Sequence, residues 1–244
     1  MTTRIVIPCY DEEKRLPVAS FDEYLAANTH VEFVLVNDGS RDGTLPLLHS
    51  MATRWPGRII VIDQQPNQGK AEAVRRGMSA PLSEGIKFAG YWDADLATPL
   101  SSIEEFARVL TERPGIDLVL GARVALLGRN IDRAPMRHYL GRIFATAASL
   151  ALDLPVYDTQ CGAKLLRASP HNLGLFAKPF MSRWIFDVEL IARYLCSGGR
   201  AEGLYELPLS SWRDVGASKV RTVDFLRSIG ELFSIHRAYR RRRE

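Results

Sequence analysis

Two carboxylates separated by one small residue, Asp93-Ala94-Asp95, are the strongest sign of chemistry in the sequence. They follow an apolar run, Phe88–Trp92, that is typical of a buried strand. Mg²⁺ and Mn²⁺ prefer oxygen ligands and are commonly held by one or two carboxylates together with substrate phosphates. We therefore predict that Asp93 and Asp95 bind Mg²⁺ or Mn²⁺, and that this cation neutralises a diphosphate leaving group.

Polar side chains also follow the neighbouring predicted strands. Asp38 is expected to accept hydrogen bonds from a base edge, and Gln68-Gly69-Lys70 could present backbone N–H groups and an ammonium to a phosphate. Ligands of parallel sheets bind outside the carboxyl ends of the strands, so these groups should meet at one edge. The sequence contains no GxxxxGK[ST], GxGxxG, GxSxG or HExxH motif, which disfavours P-loop proteins, dinucleotide-dependent dehydrogenases and hydrolases.

The elements that must position these residues alternate along the first half of the chain. Strands are predicted at Arg4–Pro8, Glu32–Asn37, Arg58–Ile62, Lys87–Trp92 and Asp117–Gly121. Helices are predicted near Val18–Asn28, Gly43–Arg54, Lys70–Ser79 and Ser101–Glu112. Further elements are predicted at Arg133–Leu152 (helix), Thr159–Leu166 (extended), Phe186–Cys196 (helix), Ala201–Leu207 (strand) and from about Val223 (amphipathic helix). This order predicts an α/β fold with a mixed, mainly parallel sheet flanked by helices.

Composition narrows the class of protein. The chain has 244 residues, of which 46% are apolar and 25% charged, as in ordinary globular domains that bury their own core. Its three cysteines form no CxxC, which favours a reducing compartment. No apolar run approaches the roughly 20 residues of a membrane-spanning helix, and the acidic N-terminal segment does not resemble a signal peptide. We expect a cytoplasmic protein that meets membranes peripherally.

Several motifs occur in a fixed order along the chain. They read IVIPCYDEE, VLVNDGSRDGT, NQGKAEAVRRG, YWDADLATP and GAR. In this order they resemble the motifs of family-2 glycosyltransferases, which implies a GT-A (Rossmann-like) fold. DTQCGAKLL and RWIFDVELI resemble most closely the dolichyl-phosphate β-glucosyltransferases and their bacterial polyprenyl-phosphate relatives. We predict a GT-A domain over residues 1–220 and a basic C-terminal helix or tail over 221–244.

The resemblance also implies a donor site. Its residues are Pro8, Tyr10, Glu12, Asp38, Lys70, Asp93, Ala94, Asp95, Arg213 and Lys219. Asp95 is implied as a metal ligand, and Arg123, in the position of the family's GSR arginine, as a phosphate contact. Asp11 stands where the family usually has Asn, and Ala97 stands where the mannosyltransferases carry a metal-ligating Gln. The second departure favours the glucosyl-like subtype.

The predicted function is inverting transfer of a hexosyl group from a nucleotide sugar of the UDP-glucose or GDP-mannose type to a polyprenyl phosphate. A lipid phosphate is already an anion near neutral pH, so its attack needs no general base. Arginine forks match phosphate geometry, which makes Arg137 and Arg142 on the predicted helix Arg133–Leu152 the acceptor candidates. Attack opposite the nucleoside diphosphate would invert the anomeric configuration.

Two other functions stay open at this stage. A glycosyltransferase acting on a soluble or glycan hydroxyl would need a carboxylate base, for which Asp158 and Asp187 are the candidates. A non-catalytic nucleotide-sugar-binding or membrane-scaffold protein is the other. Asp187 and Glu189 could equally form a structural ion-pair set, and Cys161 is expected to be a packed residue. Nucleic-acid binding is not expected, because few aromatics interrupt the arginines.

The charge excess of the chain, +4 overall, lies near its C-terminus, where Arg240–Arg243 form an unbroken run. Arginines close to an anionic membrane surface contribute on the order of 1 kcal/mol each, and salt screens them. Deleting residues 240–244 should therefore release the protein from anionic vesicles in sedimentation, while activity on a detergent-dispersed short acceptor survives. Equal sedimentation of the full and shortened chains would identify the tail as a solvated end.

Overall fold

The structure is a computed structural model that describes residues 2–132, 135–215 and 222–240, with the side chains of 135–138 and 222–227 outside the description. Its strands are β1 (Thr2–Cys9), β2 (Val31–Asp38), β3 (Ile59–Gln64), β4 (Ile86–Trp92), β5 (Leu118–Ala122), β6 (Asn130–Asp132), β7 (Ala163–Arg167), β8 (Leu204–Pro208) and β9 (Ser211–Arg213). Its helices are α1 (Val18–Ala27), α2 (Thr44–Arg54), α3 (Lys70–Ser79), α4 (Ser102–Glu112), α5 (Pro135–Leu152), α6 (Pro170–Gly174), α7 (Phe186–Cys196) and α8 (Thr222–Arg240).

A seven-stranded sheet has the order β3-β2-β1-β4-β7-β5-β8. Only β7 runs antiparallel to its neighbours β4 and β5, and the other pairs are parallel. A second, two-stranded sheet pairs β6 with β9 in parallel. The predicted mixed, mainly parallel α/β fold is confirmed, as is the C-terminal helix. The predicted division at residue 220 stays a prediction.

Both faces of the large sheet are covered, because strand side chains alternate between them. Val34 and Val36 lie in the core under α3, α5, α7 and α8, whereas Phe33 and Leu35 lie in the core under α1, α2 and α4. Burial on both faces explains why the strands of the first half read as nearly continuous apolar runs. The carboxyl ends of β2, β1 and β4 come together at one edge.

The predicted bounds of most helices agree with the structure to within one residue. Helices α3 and α7 have the predicted limits, and the other helices of the first half shift by one residue. Strand β7 begins at Ala163 rather than Thr159, because the carbonyl groups of Thr159 and Cys161 bind the Lys164 ammonium instead of a neighbouring strand. Strand β8 begins at Leu204, since residues 201–203 form a 3₁₀ turn.

The sequence predicts that Leu140, Phe144 and Leu150 of the helix Arg133–Leu152 lie near a membrane interface, and it leaves open whether Leu232 and Ile235 of the C-terminal helix lie there or pack on the sheet. Phe144 on α5 is buried in the core, so its expected place at a lipid surface is wrong, whereas Leu232 and Ile235 on α8 pack in the core, the second of the two alternatives. Leu140 and Leu150 are 38% and 76% exposed, as expected of interface residues. Across residues 2–132, 135–215 and 222–240, no helix has both the length and the apolar composition needed to cross a bilayer.

Close contact between β4 and β7 depends on Gly90, because a Cβ there would lie 2.0 Å from the Lys164 carbonyl oxygen. Gly90→Ala should therefore lower the free energy of unfolding by about 3 kcal/mol or more, since backbone cannot yield as a flexible side chain does. Urea denaturation measures the effect. Gly115→Ala is the matched control, because nothing lies within 4 Å of a Cβ there, and it should change stability by less than about 0.5 kcal/mol.

Candidate active site

The turn after β4 carries Asp93 and Asp95 to the carboxyl edge of the sheet. The fully buried Trp92 donates its indole N–H to the Thr98 carbonyl at 3.0 Å, and this hydrogen bond connects the two ends of the turn. Asp95 Oδ1 accepts the N–H of Ala97 at 3.0 Å. Asp95 is exposed, and desolvation by its surroundings together with the charge of Asp93 raises its pKa. Two carboxylates are thus held close together at the surface.

Lys70, the first residue of α3, lies against this turn. Its Nζ is 2.5 Å from Asp93 Oδ1. Burial alone lowers the pKa of Lys70, but the carboxylates of Asp93 and Asp187 outweigh it, and the net shift is upward. The ammonium therefore stays charged. The structure thus brings Lys70, which follows β3, next to the Asp93 and Asp95 turn, which follows β4.

Gly162 makes room for Asp93, a role that none of the sequence motifs indicated. A Cβ at Gly162 would lie 1.8 Å from Asp93 Oδ2. Residues 159–162 precede the antiparallel β7, so they reach the edge that the parallel strands reach with their carboxyl ends. A glycine just before a strand can signal such a close approach, and that is the signal by which the sequence could have identified Gly162.

Asp38 is hydrogen-bonded by its own chain, and its contact with a base edge stays a prediction. The buried carboxylate accepts Gln64 Nε2 at 2.5 Å and the N–H of Gln68 at 2.8 Å through Oδ1. Its Oδ2 accepts Asn67 Nδ2 at 2.9 Å and the N–H of Gly69 at 2.8 Å. A carboxylate offers about four acceptor positions, so Asp38 is occupied by its own chain. It orders the loop that leads to Lys70.

The backbone N–H groups expected to contact a phosphate at the start of α3 already have partners within the chain, and the phosphate contact of Lys70 stays a prediction. The N–H groups of Gln68 and Gly69 point to Asp38, and the N–H of Ala71 donates to the Arg183 carbonyl at 3.4 Å. The next N–H groups along the helix donate to Gly69. What this helix start offers a phosphate is the Lys70 ammonium rather than a row of backbone donors.

A buried ion pair lies directly beneath the site. Lys164 Nζ is 2.6 Å from Asp187 Oδ1, with the two side chains 1% and 5% exposed. The same ammonium donates to the carbonyls of Thr159 and Cys161, and the Tyr91 hydroxyl donates to Asp187 Oδ1 at 2.5 Å. Burial and Asp187 raise the pKa of Tyr91 well above its usual value, so it remains a donor. Asp187 therefore joins α7 to β4 and β7.

Glu189, two residues further along α7, belongs to a second buried set. Its carboxylate pairs with Arg193 at 2.8 Å and accepts the Tyr239 hydroxyl at 2.9 Å and the N–H of Met181 at 2.7 Å. Between the two alternatives for Asp187 and Glu189, these contacts favour the structural ion-pair set. Glu189 ties α7 to α8 rather than reaching the Asp93 turn.

Arg123 and Asp158 form a two-pronged ion pair. Arg123 Nε lies 2.7 Å from Asp158 Oδ2, and its Nη2 lies 2.8 Å from Oδ1. The backbone N–H groups of Arg123 and Gln160 donate to the same carboxylate. Burial opposes the charge of Arg123, but Asp158 raises its pKa above the usual value. Asp158 is thus surrounded by donors, which speaks against a general base, and the phosphate contact of Arg123 stays a prediction.

Four further residues of the predicted donor site lie near the ends of β1 and β4. Pro8 and Tyr10 are half-buried at the end of β1, beside the ends of β2 and β4. Glu12 is buried and lies 2.5 Å from Arg15 Nη2, and the Arg15 charge acts on Asp95. Ala94 is buried inside the Asp93 turn. All of them lie on the carboxyl edge of the sheet.

Arg213 is exposed, and its backbone N–H donates to the Ala97 carbonyl at 3.1 Å, so β9 reaches the Asp95 turn. Lys219 and Arg133 lie outside the described residues, as does the side chain of Arg137. Arg142 donates to the Tyr157 carbonyl at 2.9 Å and stacks 3.8 Å from the centre of the Tyr157 ring. These contacts give Arg142 a structural role and do not support it as an acceptor ligand.

Cys161 lies beneath this site. Cys161 is fully buried, and burial raises its pKa. It lies 3.9 Å from Thr98 Oγ1, within the packing under the Asp93 turn. The expectation of a packed residue rather than a nucleophile is confirmed.

A cavity of about 690 Å³ lies away from this edge. It is lined by Arg113, Asp117, His171 and Arg200, near the residues that precede β5 and β8. Because β5 and β8 run parallel to β4, this cavity opens at the amino ends of the strands. It is separate from the carboxylate and lysine cluster.

A mainly parallel sheet with an Asp-x-Asp turn and a lysine at the carboxyl ends of its strands is the arrangement of a GT-A glycosyltransferase. Residues 4–174 match the family described as Glycosyl transferase family 2, and the chain belongs to that family. The family resemblance noted in the motifs is thereby confirmed.

Individual proteins similar to this chain have names that are narrower than the family description. The chain is 31% identical over 246 residues to a dolichyl-phosphate β-glucosyltransferase of Trichomonas vaginalis, covering 96% of this chain and 70% of that protein. It is 30% identical over 238 residues to the human dolichyl-phosphate β-glucosyltransferase, covering 87% and 72%. A solved glucosyl-3-phosphoglycerate synthase of Mycobacterium tuberculosis, in complex with Mg²⁺ and uridine diphosphate, superposes with a TM-score of 0.67 at 18% identity, covering 96% and 79%. That likeness shows the fold.

Asp187→Asn tests the buried pair, because it leaves the Lys164 ammonium buried without its counter-charge. We expect a loss of about 3–5 kcal/mol in the free energy of unfolding, measured by urea denaturation. Adding Lys164→Met should recover part of it, since the unpaired charge is then removed. Asp22→Asn, which breaks the exposed pair with Arg54, should cost less than about 1 kcal/mol. Equal losses at Asp22 and Asp187 would contradict this account.

Proposed function

We propose that this chain transfers a glucosyl group from a nucleoside diphosphate sugar, of the UDP-glucose type, to a polyprenyl phosphate. Membership of glycosyl transferase family 2 and the names of the similar glucosyltransferases support this proposal. The observation that carries it is that both carboxylates considered as general bases, Asp158 and Asp187, are paired with cations of their own chain. Such a site suits an acceptor that is already an anion.

A hydroxyl acceptor needs a base to remove its proton, whereas a phosphate monoester does not. The two candidate bases are Asp158 and Asp187. Asp158 is held by Arg123 and by two backbone N–H groups, and Asp187 by Lys164 and Tyr91. Releasing either carboxylate would leave an arginine or a lysine without its counter-charge. These contacts favour a lipid phosphate over a glycan hydroxyl.

On the donor side, this chain supplies Lys70 as the fixed cation. Asp93 and Asp187 keep the ammonium charged, and Asp93 holds it at the edge where the strands end. A diphosphate placed over this edge would meet that ammonium. Departure of the diphosphate on one side, with attack from the other, would invert the anomeric carbon. Arg213 is a second cation for the diphosphate, because its backbone N–H binds the Ala97 carbonyl next to the Asp95 turn.

The side chains at the site could supply some, but not all, of the ligands of a hard divalent cation. Asp93 and Asp95 supply carboxylate oxygens, the ligands that Mg²⁺ and Mn²⁺ prefer. Within the described residues, no group of three or more His, Cys, Asp or Glu side chains could hold a metal. The cation would therefore draw its remaining ligands from the diphosphate and water. When bound, it would neutralise charge that develops on the leaving group.

A polyprenyl phosphate lies in a membrane, and two helices of this chain carry exposed apolar side chains suited to its surface. On α5, Tyr139, Ile143 and Leu150 share one face and are 68%, 59% and 76% exposed. On α8, Phe233 is 67% exposed, and His236, one turn later, binds the Ala151 carbonyl. The two apolar faces are thus neighbours. We propose that they dock on an anionic bilayer at its cytosolic face.

The test is transfer of radiolabel from UDP-glucose to a short polyprenyl phosphate, followed by extraction into an organic phase. The label should enter that phase from UDP-glucose and not from GDP-mannose, and the matching free polyprenol should accept none. Transfer to the free alcohol at a similar rate would favour the hydroxyl-acceptor function instead. Nucleotide-sugar binding without any transfer would favour the non-catalytic function.

Asp95→Asn should reduce the transfer rate by about 100-fold while leaving the unfolding transition unchanged, because a neutral amide is a poorer ligand for a hard cation. EDTA should have the same effect on the wild type, and Mg²⁺ or Mn²⁺ should reverse it. The exposed Glu23→Gln on α1 is the control for loss of one negative charge and should be neutral. Full turnover in EDTA would contradict the metal role.

A further inference from the structure

The loop Pro66–Gly69, which leads into Lys70, is held from two sides by side chains of opposite charge. From one side, Asp38 accepts the backbone N–H groups of Gln68 and Gly69. From the other side, Arg183 donates to backbone carbonyls of the same loop. The N–H groups of the loop therefore bind the Asp38 carboxylate, and its carbonyl groups bind the Arg183 guanidinium. This arrangement fixes the orientation of the peptide planes before α3.

Arg183 makes several contacts with this loop. Its Nε donates to the Gln68 carbonyl at 2.8 Å, and its Nη2 is 3.3 Å from both the backbone oxygen and Oδ1 of Asn67. Gly69, at φ +95°, lies under the side chain, and a Cβ there would be 3.0 Å from Nε. The backbone carbonyl of Arg183 also accepts the N–H of Ala71. Both parts of the residue therefore hold the start of α3.

The segment that carries Arg183 is itself anchored. The buried Ser182 donates its hydroxyl to Glu231 Oε2 of α8 at 2.5 Å. Ser182 Oγ also accepts the N–H groups of Trp184 and Ile185, just before α7. Arg183 is thus a fixed point on the α7 and α8 side of the molecule. From that point it reaches a loop of the donor side.

We propose that Arg183 is a positioning residue for donor binding, which acts by holding the Asn67–Gly69 loop so that Lys70 faces the diphosphate. This inference rests on the proposed function, since it assigns Lys70 to the donor. No hydrogen bond or ion pair joins Arg183 to Asp93 or Asp95 in the structure as described, and its contacts go to the loop. The planar fork matters because one guanidinium binds two successive carbonyls, which an ammonium cannot do in the same geometry.

The experiment measures UDP binding by isothermal titration calorimetry with Mg²⁺ present. Arg183→Met should weaken UDP binding by about tenfold, and Arg183→Lys should stay within about threefold of Arg183→Met, because charge alone does not replace the fork. Arg58→Met is the matched control. Arg58 also binds backbone carbonyls, those of Val31 and Asn28, but near the amino ends of the strands, and its variant should bind UDP as the wild type does.

A double-variant cycle separates a positioning role from direct contact with the ligand. If Arg183 acts through Lys70, adding Arg183→Met to Lys70→Met should change UDP affinity by less than about threefold. Independent, multiplied losses would overturn the inference, and so would full recovery by Arg183→Lys or unchanged affinity in Arg183→Met.

Hydrogen exchange gives a readout that needs no ligand. Arg183→Met should speed exchange of the Gln68 and Gly69 amides while the amides of β1 and β2 keep their protection. If the wild type neither binds UDP nor transfers glucose, the proposed function fails, and the exchange result still decides whether Arg183 orders the loop. Unchanged exchange at Gln68 and Gly69 would overturn that part of the inference.

Discussion

The ion pair between Lys164 and Asp187 is the interaction on which the site depends. Its ammonium and carboxylate are almost entirely out of water, so each is stable there only while the other is in place. The pair fixes the antiparallel β7 against α7, and Tyr91 adds β4 to the same contact. Asp93 stands two residues after Tyr91 and packs on Gly162 before β7. The position of the outer carboxylate therefore follows from the buried pair below it.

Carboxylates are numerous around this site, yet most of them serve the protein itself. Asp38 holds a loop, Asp158 holds Arg123, and Asp187 holds Lys164. Asp95 differs, because it is exposed and has a raised pKa. A site in which the acids are structural and cations face outward suits two anionic substrates better than a neutral one. In the transfer that we propose, the main electrostatic task is to reduce repulsion between two anionic substrates, and Lys70 and Arg213 are the cations proposed for it.

Much of the fold could be predicted from the sequence, because its strands are continuous apolar runs and its helices have clear periodicity. The carboxyl edge and the Asp93 turn followed from the α/β order alone. The strands β6 and β9 could not be predicted, since three residues give no period. The partners of Asp38 also could not, because they come from a loop that only the folded sheet brings near. In the same way, no local pattern separates the anchor Arg183 from an ordinary exposed arginine.

The antiparallel strand β7 has a consequence for the order in which the chain folds. In the sheet, β4 lies between β1 and β7, and Gly90 pairs with Leu165, far along the chain. Until the ribosome has released that later segment, β4 is an edge strand. Its backbone groups on the β7 side are unpaired, and Gly90 offers no side chain to cover them. Such pairing over long sequence separation slows folding and prolongs exposure of an aggregation-prone edge. Synthesis of the second half therefore limits when the first half becomes complete.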